Sequence, residues 1–339
     1  MKKPEYKISN VDRMDPFLMS LTSSDNHWMF ISSNGALTAG REKADHSLFP
    51  YITDNLIHSS LNTTGPTTTI EIYKENNKLG TWSPLSYLPT RYNVEKNLYK
   101  DALGDNISFE EINKDLNIAF RYQWLTSREY GFIKRTELVN NSNEELSFKI
   151  IDGIQNILPS GLDVQTQQSL SNLSNAYKHS EIIKETKLGI FSLGSLIMDR
   201  PDPGEALNAN TVWVRSDINF KPSLSSPNNT SANIYDEVLT GVPGSYFINS
   251  QITLKQNQKA EWDIILDVNQ NHKSVVALNE KINFIKNDID ISIEQNHLSL
   301  IKYLGSADGF QLTSSKNNTL HHTSNVLFNI MRGGIFVHN

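Results

Sequence analysis

One short stretch of the sequence, residues 40–51, places charged, histidine and aromatic side chains close together. Arg41, Asp45 and His46 lie there, directly after a predicted hairpin. An arginine and an aspartate in such a loop can hold sugar hydroxyls or a phosphate, and a histidine can move a proton near neutral pH. Alternatively, the three side chains satisfy one another beneath a surface loop. We take all three as candidate substrate-binding residues.

A second stretch, residues 198–205, combines two prolines and a glycine with Asp199, Arg200, Asp202 and Glu205. Paired carboxylates can act as acid and base on opposite faces of a sugar during glycoside cleavage. Nothing in the sequence sets the separation of these carboxylates, and a solvated acidic loop is the simpler interpretation. We therefore assign no catalytic residue here.

Other chemical motifs give little support for a site. His321 and His322 are adjacent, so on a helix their side chains point to different faces and cannot chelate one metal as an i, i+4 pair does. The sequence contains no Gly-rich phosphate loop, no Gly-x-Ser-x-Gly elbow and no HExxH motif. We predict no metal site and no cofactor for this chain.

The tryptophans lie on strand-like patterns, where an indole is more often a core residue than a stacking platform for a sugar. Trp82 and Trp213 flank predicted loops, which makes them the better stacking candidates. We include Trp82 among the candidate substrate-binding residues.

Composition excludes several classes of function. Cysteine is absent, which excludes disulfides, thiolate catalysis and cysteine zinc sites. The formal net charge of −6 is spread along the chain without a Lys/Arg-rich run, so we expect no nucleic-acid partner. No apolar run approaches the roughly 20 residues of a membrane helix, and the basic N-terminus is not followed by an apolar stretch. We expect a cytoplasmic protein without a signal peptide or a membrane partner.

The elements that must position these residues are mainly strands. Short runs of alternating apolar and polar residues recur at residues 29–33, 67–73, 116–124, 131–139, 146–152, 190–193, 211–214, 245–249 and 260–268. Asn34-Gly35 between two apolar runs predicts a hairpin with a type I′ turn, in which both central residues have positive φ. Many short strands with turn-rich gaps predict a mainly β fold, a large antiparallel sandwich.

The pattern changes after about residue 272. Apolar residues then recur at helical spacing in residues 274–287, 289–304 and 320–331, which predicts helices after the β region. The chain closes on an apolar run, residues 335–337, and such a run at a terminus is normally covered by other protein. We therefore expect these residues to be the front part of a larger protein.

The succession of motifs resembles a known family. The hairpin at residues 31–35 is followed by the turn around Gly65, by Thr81-Trp82-Ser83-Pro84, by Trp-x-x-Ser at 124–127 and by Arg-Thr-x-Leu-Val-Asn at 135–140. This order resembles the N-terminal domain of the cellobiose and chitobiose phosphorylase group, a galactose-mutarotase-type β-supersandwich that linker helices join to an (α/α)6 barrel. The resemblance implies a β-supersandwich over residues 1–271. Residues 272–339 would be the helical linker and the start of a barrel that is otherwise missing.

The resemblance also implies a function. In a parent enzyme of this type, phosphate or water attacks the anomeric carbon while an aspartate in the barrel protonates the leaving oxygen. Because the barrel is missing here, we predict a non-catalytic domain that shapes the sugar site through Arg41, Asp45, His46 and Trp82. The expected partners are a carbohydrate, the missing barrel and a second copy in a homodimer. Inorganic phosphate would enter only in the parent enzyme.

Two alternatives remain open from the sequence. A stand-alone carbohydrate-binding or structural module would bind sugar without turnover. A mutarotase-like epimerase would need a histidine acid and a glutamate base, for which the candidates are His46, His179, His272, Glu137, Glu205 and Glu261. We expect Glu137 and Glu261, which lie on strands, to be outward-facing charges rather than bases.

Overall fold

The alternating runs form strands in the computed structural model, which describes residues 5–195, 207–225, 237–307 and 309–331. In chain order the strands of these ranges are β1 (Glu5–Ser9), β2 (Leu18–Leu21), β3 (His27–Ser32), β4 (Leu37–Arg41), β5 (Gly65–Lys74), β6 (Asn77–Trp82), β7 (Val94–Asp101), β8 (Ile107–Asn113), β9 (Ile118–Ser127), β10 (Gly131–Asn140), β11 (Leu146–Ile157), β12 (Lys178–Ile182), β13 (Gly189–Leu193), β14 (Asn208–Ser216), β15 (Phe220–Ser223), β16 (Val238–Thr240), β17 (Gly244–Leu254) and β18 (Lys259–Asn271). The helices are α1 (Val164–Ser169), α2 (Ser171–Asn175), α3 (His272–Lys281), α4 (Asp288–Ser306) and α5 (Lys316–Met331). Short 3-10 turns cover Val11–Arg13, Asn55–Asn62 and Ile282–Phe284.

The described strands form three sheets, all of them antiparallel. The ten-stranded sheet has the order β1-β7-β8-β9-β10-β18-β14-β13-β12-β16, the five-stranded sheet β15-β17-β11-β5-β6, and the three-stranded sheet β2-β3-β4. One shared apolar core joins them, with Phe120 and Trp262 from the largest sheet and Phe148 from the five-stranded sheet. The prediction of a mainly β, antiparallel sandwich followed by helices is confirmed.

The hairpin at Asn34-Gly35 is confirmed as β3–β4, but its predicted turn type is wrong. Gly35 has a φ of 97°, whereas Asn34 is not among the residues with positive φ. The Asn34 side chain accepts from the Ala36 amide at 3.1 Å and donates to the His58 carbonyl at 2.9 Å, which fixes the turn in another geometry. Two consecutive positive φ values, typical of a type I′ turn, instead join β5 to β6 at Glu75 (47°) and Asn76 (69°).

Replacing Gly35 with alanine is expected to lower the free energy of unfolding by about 1–2 kcal/mol, because a side chain at positive φ is strained. The new Cβ would also lie 3.0 Å from the Tyr122 hydroxyl. Chemical denaturation measures the change. Gly194→Ala is the matched control, since its Cβ would meet no described atom closer than 3.7 Å and its φ is not positive. Equal losses in the free energy of unfolding for Gly35→Ala and Gly194→Ala would contradict this account of the turn.

The change from strands to helices comes at one residue, since β18 ends at Asn271 and α3 begins at His272. The Asn271 side chain caps α3 by accepting from the Ser274 amide at 2.9 Å. Ile282, Ile285 and Ile289 then pack on the outer face of the ten-stranded sheet. The division into two domains at this point stays a prediction. No helix within the described ranges has the length and apolar character needed to span a membrane.

A buried ion pair joins the two large sheets inside the sandwich. Lys134 of β10 and Asp152 of β11 both have side chains that are 0% exposed, and the ammonium lies 2.6 and 2.8 Å from the two carboxylate oxygens. Asp152 also accepts from the Thr68 hydroxyl at 2.6 Å and from the Trp262 indole at 2.7 Å. The carboxylate is therefore held by four hydrogen bonds, as a charge without access to water requires.

Candidate functional site

Arg41, predicted as a substrate-binding residue, holds protein groups at the end of β18. Its guanidinium donates to Asp267 at 3.1 and 3.3 Å, to Asp25 at 3.1 Å and to Asn26 at 2.7 Å. Burial raises the pKa of Asp267, and the charge of Arg41 opposes that shift. These bonds connect the β3–β4 hairpin to the ten-stranded sheet.

Asp45 and His46 make contacts with other residues and not with one another. Asp45 accepts from the Val164 amide at 3.1 Å, where α1 begins. His46 lies 3.1 Å from the Glu42 carboxylate and 3.4 Å from the Asn269 amide nitrogen. The structure thus brings Arg41 and His46 to the same end of β18, each with its own partners. A role for these residues in binding sugar stays a prediction.

Trp82 does not offer a stacking surface. It is 1% exposed, and its indole donates to the Glu111 carboxylate at 2.7 Å. Because Trp82 ends a strand whose inner face meets the core, its ring packs edge-on against Phe120. Trp213 is also buried, at 3% exposure. The more common interpretation of strand tryptophans, as core residues, therefore describes both.

Two other groups of sequence candidates give no site. Asp199, Arg200, Asp202 and Glu205 lie outside the described residues, as does the apolar run at residues 335–337. His321 and His322 lie on α5, and neither belongs to the set of potential metal ligands found among the described residues.

The structure reveals another surface, on the outer face of the ten-stranded sheet. Because side chains alternate along each strand, antiparallel registers align those of several strands into rows across this face. One row contains Arg215, Asp263, Arg135, Gln123, Ser108 and Tyr99. The next contains Glu261, Glu137, Arg121, Glu110 and Asn97. Rigid strands therefore carry guanidinium, amide, hydroxyl and carboxylate groups side by side.

Two adjoining clefts follow these rows, and together we call them the polar groove. The larger cleft, about 740 Å³, extends from Arg135 and Asp263 to Arg215 and Asp290 at the start of α4. The smaller cleft, about 320 Å³, is lined by Glu5, Asn106, Arg121, Gln123, Arg135, Glu137 and Glu261. Arg135 and Glu261 belong to both clefts, so the groove is continuous across β9, β10, β18 and β14.

A four-residue ionic network forms the wall of the groove. Arg135 donates to Asp263 at 2.9 and 3.1 Å and to Asp290 at 2.5 Å. Arg215 contacts the same two carboxylates at 2.5 and 2.6 Å. Burial by itself lowers the pKa of Arg135, but the hydrogen bonds and charges of Asp263 and Asp290 raise it overall. Burial likewise raises the pKa of Asp290, but Arg215 and Arg135 outweigh it and lower that pKa.

The open part of the groove contains side chains with hydrogen-bonding capacity. Arg121 donates to Glu5 and to the Ser108 hydroxyl, both at 3.0 Å, and its guanidinium lies 4.5 Å from the centre of the Tyr99 ring. Gln123, half-buried between Arg135 and Ser108, makes no side-chain hydrogen bond within the described residues. Its amide can therefore both donate to and accept from a ligand.

Sequence reasoning named Glu137 and Glu261 but did not identify this groove. Both lie on the outer face, and Lys259 pairs with them at 2.8 and 3.0 Å. No histidine is among the described residues that line either cleft. The alternation of buried and exposed positions along β9 and β10 is the sequence signal that could have located the groove, because it places Arg121, Gln123 and Arg135 on the outer face.

No protein-family model and no curated protein matches the chain. It is similar to a solved bacterial glucoamylase complexed with acarbose, with a TM-score of 0.46, 9% identity, and coverage of 95% of this chain and 44% of that one. For a candidate kojibiose phosphorylase from the human microbiome, the TM-score is 0.35 and the identity 12%, with coverage of 77% of this chain and 27% of that one. For a galactose mutarotase-like protein from Clostridium acetobutylicum, the TM-score is 0.38 and the identity 11%, with coverage of 79% of this chain and 99% of that one. The chain spans less than half the length of the glucoamylase and of the phosphorylase, and nearly the whole length of the galactose mutarotase-like protein. The phosphorylase and the galactose mutarotase-like protein are of the kinds that the sequence resembles.

Proposed function

We propose that this chain is a carbohydrate-binding, non-catalytic domain of a larger glycoside phosphorylase or hydrolase, and that the polar groove contacts the sugar. The observation that carries the proposal is the pair of cross-strand rows. They hold Arg121, Gln123, Arg135, Glu137 and Glu261 along one continuous cleft. Side chains on paired strands keep their spacing, which favours recognition of a ligand with hydroxyls at fixed positions.

The chemistry of the groove suits a neutral, hydroxyl-rich ligand. Each sugar hydroxyl donates one hydrogen bond and accepts others, so it is best met by donors and acceptors in alternation. Arg121 and Arg135 donate, Glu137 and Glu261 accept, and Gln123 does both.

The non-catalytic part of the proposal rests on what surrounds the carboxylates. Glu137 and Glu261 share Lys259 as an ion-pair partner, and the described lining of the groove contains no histidine. Arg41, Asp45 and His46 remain predicted sugar contacts. Their polar atoms bond protein groups, whereas Gln123 of the groove bonds no described residue, so the groove is the better first place to test.

The larger-enzyme part of the proposal is supported by the apolar side chains that the helical region leaves in solvent. Among them are Phe284 (80% exposed), Ile291 (55%) and Leu298 (55%). Exposed apolar residues in such number are typical of a surface that another domain covers. An (α/α)6 barrel is the domain we propose. Homodimer contacts, the use of phosphate by the parent enzyme and a cytoplasmic location remain predictions.

Gln123→Ala is expected to weaken sugar binding by about tenfold, because one good hydrogen bond to a ligand is worth about 1.4 kcal/mol. Isothermal titration of cellobiose, glucose and N-acetylglucosamine measures the change. The matched control is Gln251→Ala, which removes the same side chain from the exposed face of the five-stranded sheet. Since Gln123 bonds no described residue, the substitution should leave the fold intact.

Three outcomes decide the proposal. Binding that is lost in Gln123→Ala and kept in Gln251→Ala supports the groove. Binding that is unchanged in Gln123→Ala places the sugar elsewhere and overturns the assignment. A folded wild-type chain that binds none of the sugars contradicts a carbohydrate-binding role for this chain.

A further inference from the structure

Three potential metal ligands meet where the β7–β8 loop contacts helix α4. Asp101 ends β7, Asp105 lies in the loop, and His297 lies on α4. The ligand atoms of the three side chains all lie within 4.8 Å of one another, and the His297 Nδ1 atom is 2.8 Å from an Asp105 oxygen. Asp101 is 6% exposed, Asp105 7%, and the His297 side chain 12%. The cluster is thus closed to bulk water on most sides.

Few cationic side chains of the described residues contact the two carboxylates of this cluster. Within the described residues, the contact of His297 with Asp105 is the one salt-bridge contact to either carboxylate, and it is an ion pair only when the imidazole is protonated. Lys100, adjacent in sequence, interacts with the charge of Asp101, but its ammonium donates its hydrogen bond to the Ser20 carbonyl at 3.2 Å. Two neighbouring buried carboxylates favour a bound cation, because buried charges are normally paired or coordinate a metal.

Both halves of the cluster are held in place by contacts outside it. The Asp101 carboxylate accepts from the Asn106 amide at 3.2 Å, and the Gly104 carbonyl accepts from the Thr22 amide at 2.8 Å. On the helix, Asn296, the residue before His297, accepts from the Ser24 amide at 2.9 Å. These contacts hold the three side chains near one another, which reduces the cost of assembling ligands from separate elements.

We propose that Asp101, Asp105 and His297 bind one divalent transition-metal ion, for which Zn²⁺ is the probe. An imidazole nitrogen with two carboxylate oxygens is a donor set for zinc, manganese or cobalt, whereas calcium and magnesium prefer oxygen ligands alone. Ligand atoms around a tetrahedral zinc lie about 3.3 Å apart, so small side-chain movements suffice to form the site. Three protein ligands leave a fourth position for water. The bound ion links the β7–β8 loop to α4 and stabilises the packing of the helix on the sheet. This role goes beyond sugar binding and does not depend on it.

Titration of Zn²⁺ into the full chain after removal of metals with a chelator tests the site. We expect one tight site in the wild type, and at least about 100-fold weaker binding in His297→Gln and in Asp105→Asn. The matched control is His179→Gln, since His179 also lies near a carboxylate, 3.7 Å from Glu181, but outside the cluster. Its affinity should equal that of the wild type. Co²⁺ serves as a spectroscopic probe, because its visible absorption changes when an imidazole and carboxylates replace water.

Circular dichroism first establishes that each variant is folded, and Asp101→Asn replaces any variant that is not. Loss of the Co²⁺ absorption in the cluster variants, with its retention in His179→Gln, supports the site. Equal Zn²⁺ affinity in wild type and His297→Gln overturns it, as does a folded wild type that binds no Zn²⁺. Tighter binding of Ca²⁺ than of Zn²⁺ overturns the transition-metal assignment. Gln123→Ala should bind Zn²⁺ as tightly as the wild type does, so the experiments test the sugar-binding proposal and the metal-site proposal independently.

Discussion

Asp152→Ala is expected to lower the free energy of unfolding by about 3–5 kcal/mol, the largest effect among the substitutions considered. The substitution leaves the Lys134 ammonium buried without its counter-charge, at 0% exposure. It also removes the acceptor for the Thr68 hydroxyl and the Trp262 indole. A buried charge without a partner cannot recover the solvation it lost on folding, so the cost exceeds that of a lost surface contact.

Urea denaturation followed by tryptophan fluorescence measures this loss. Lys134→Met in the same experiment is expected to lower the free energy of unfolding by a similar amount. The double variant Lys134→Met/Asp152→Ala should lose less than the sum of the two single losses, because neither buried charge then remains without its partner. Glu144→Ala is the control, because its ion pair with Lys74 is 41–51% exposed and worth little. A loss below about 1 kcal/mol for Asp152→Ala would contradict the assignment of this pair as a central stabilising contact of the sandwich.

Asp263→Ala is expected to destabilise the fold by about 2–4 kcal/mol, because it removes the shared acceptor of two guanidiniums. The Asp263 side chain is 3% exposed and bonds both Arg135 and Arg215, which are each 23% exposed. Asp290 remains as a partner for both arginines, but it is 49% exposed and its interactions are weakened by water. We therefore place this loss below that of Asp152→Ala.

The control for Asp263 is its neighbour on the same face of β18. Glu261→Ala removes a carboxylate that is 50% exposed, and its effect should lie within about 0.5 kcal/mol of zero. Thermal or urea denaturation of the two variants gives the comparison. Equal stability of Asp263→Ala and Glu261→Ala would show that the ionic network does not stabilise the wall of the groove.

The sequence by itself determined the local elements. Alternation of apolar and polar residues predicted the strands that became β9, β10, β11 and β18, because a strand with one face in the core must alternate. The change of period after residue 272 predicted the helices. The Asn34-Gly35 pair located a hairpin, although the contact of Asn34 with the His58 carbonyl decided its turn type.

The tertiary structure alone decided which side chains meet. Arg135 and Asp263 are 128 residues apart, and Asp105 and His297 are 192 apart, so their contacts depend on strand register and helix packing that no local pattern encodes. A lysine normally lies in solvent, yet Lys134 lies in the core, where Asp152 from the other sheet pairs with its charge. Trp82 flanks a loop in sequence, and burial between the sheets removed it from solvent. Local propensity acts over a few residues, whereas the groove and the metal-ligand cluster arise from contacts between distant strands, loops and helices.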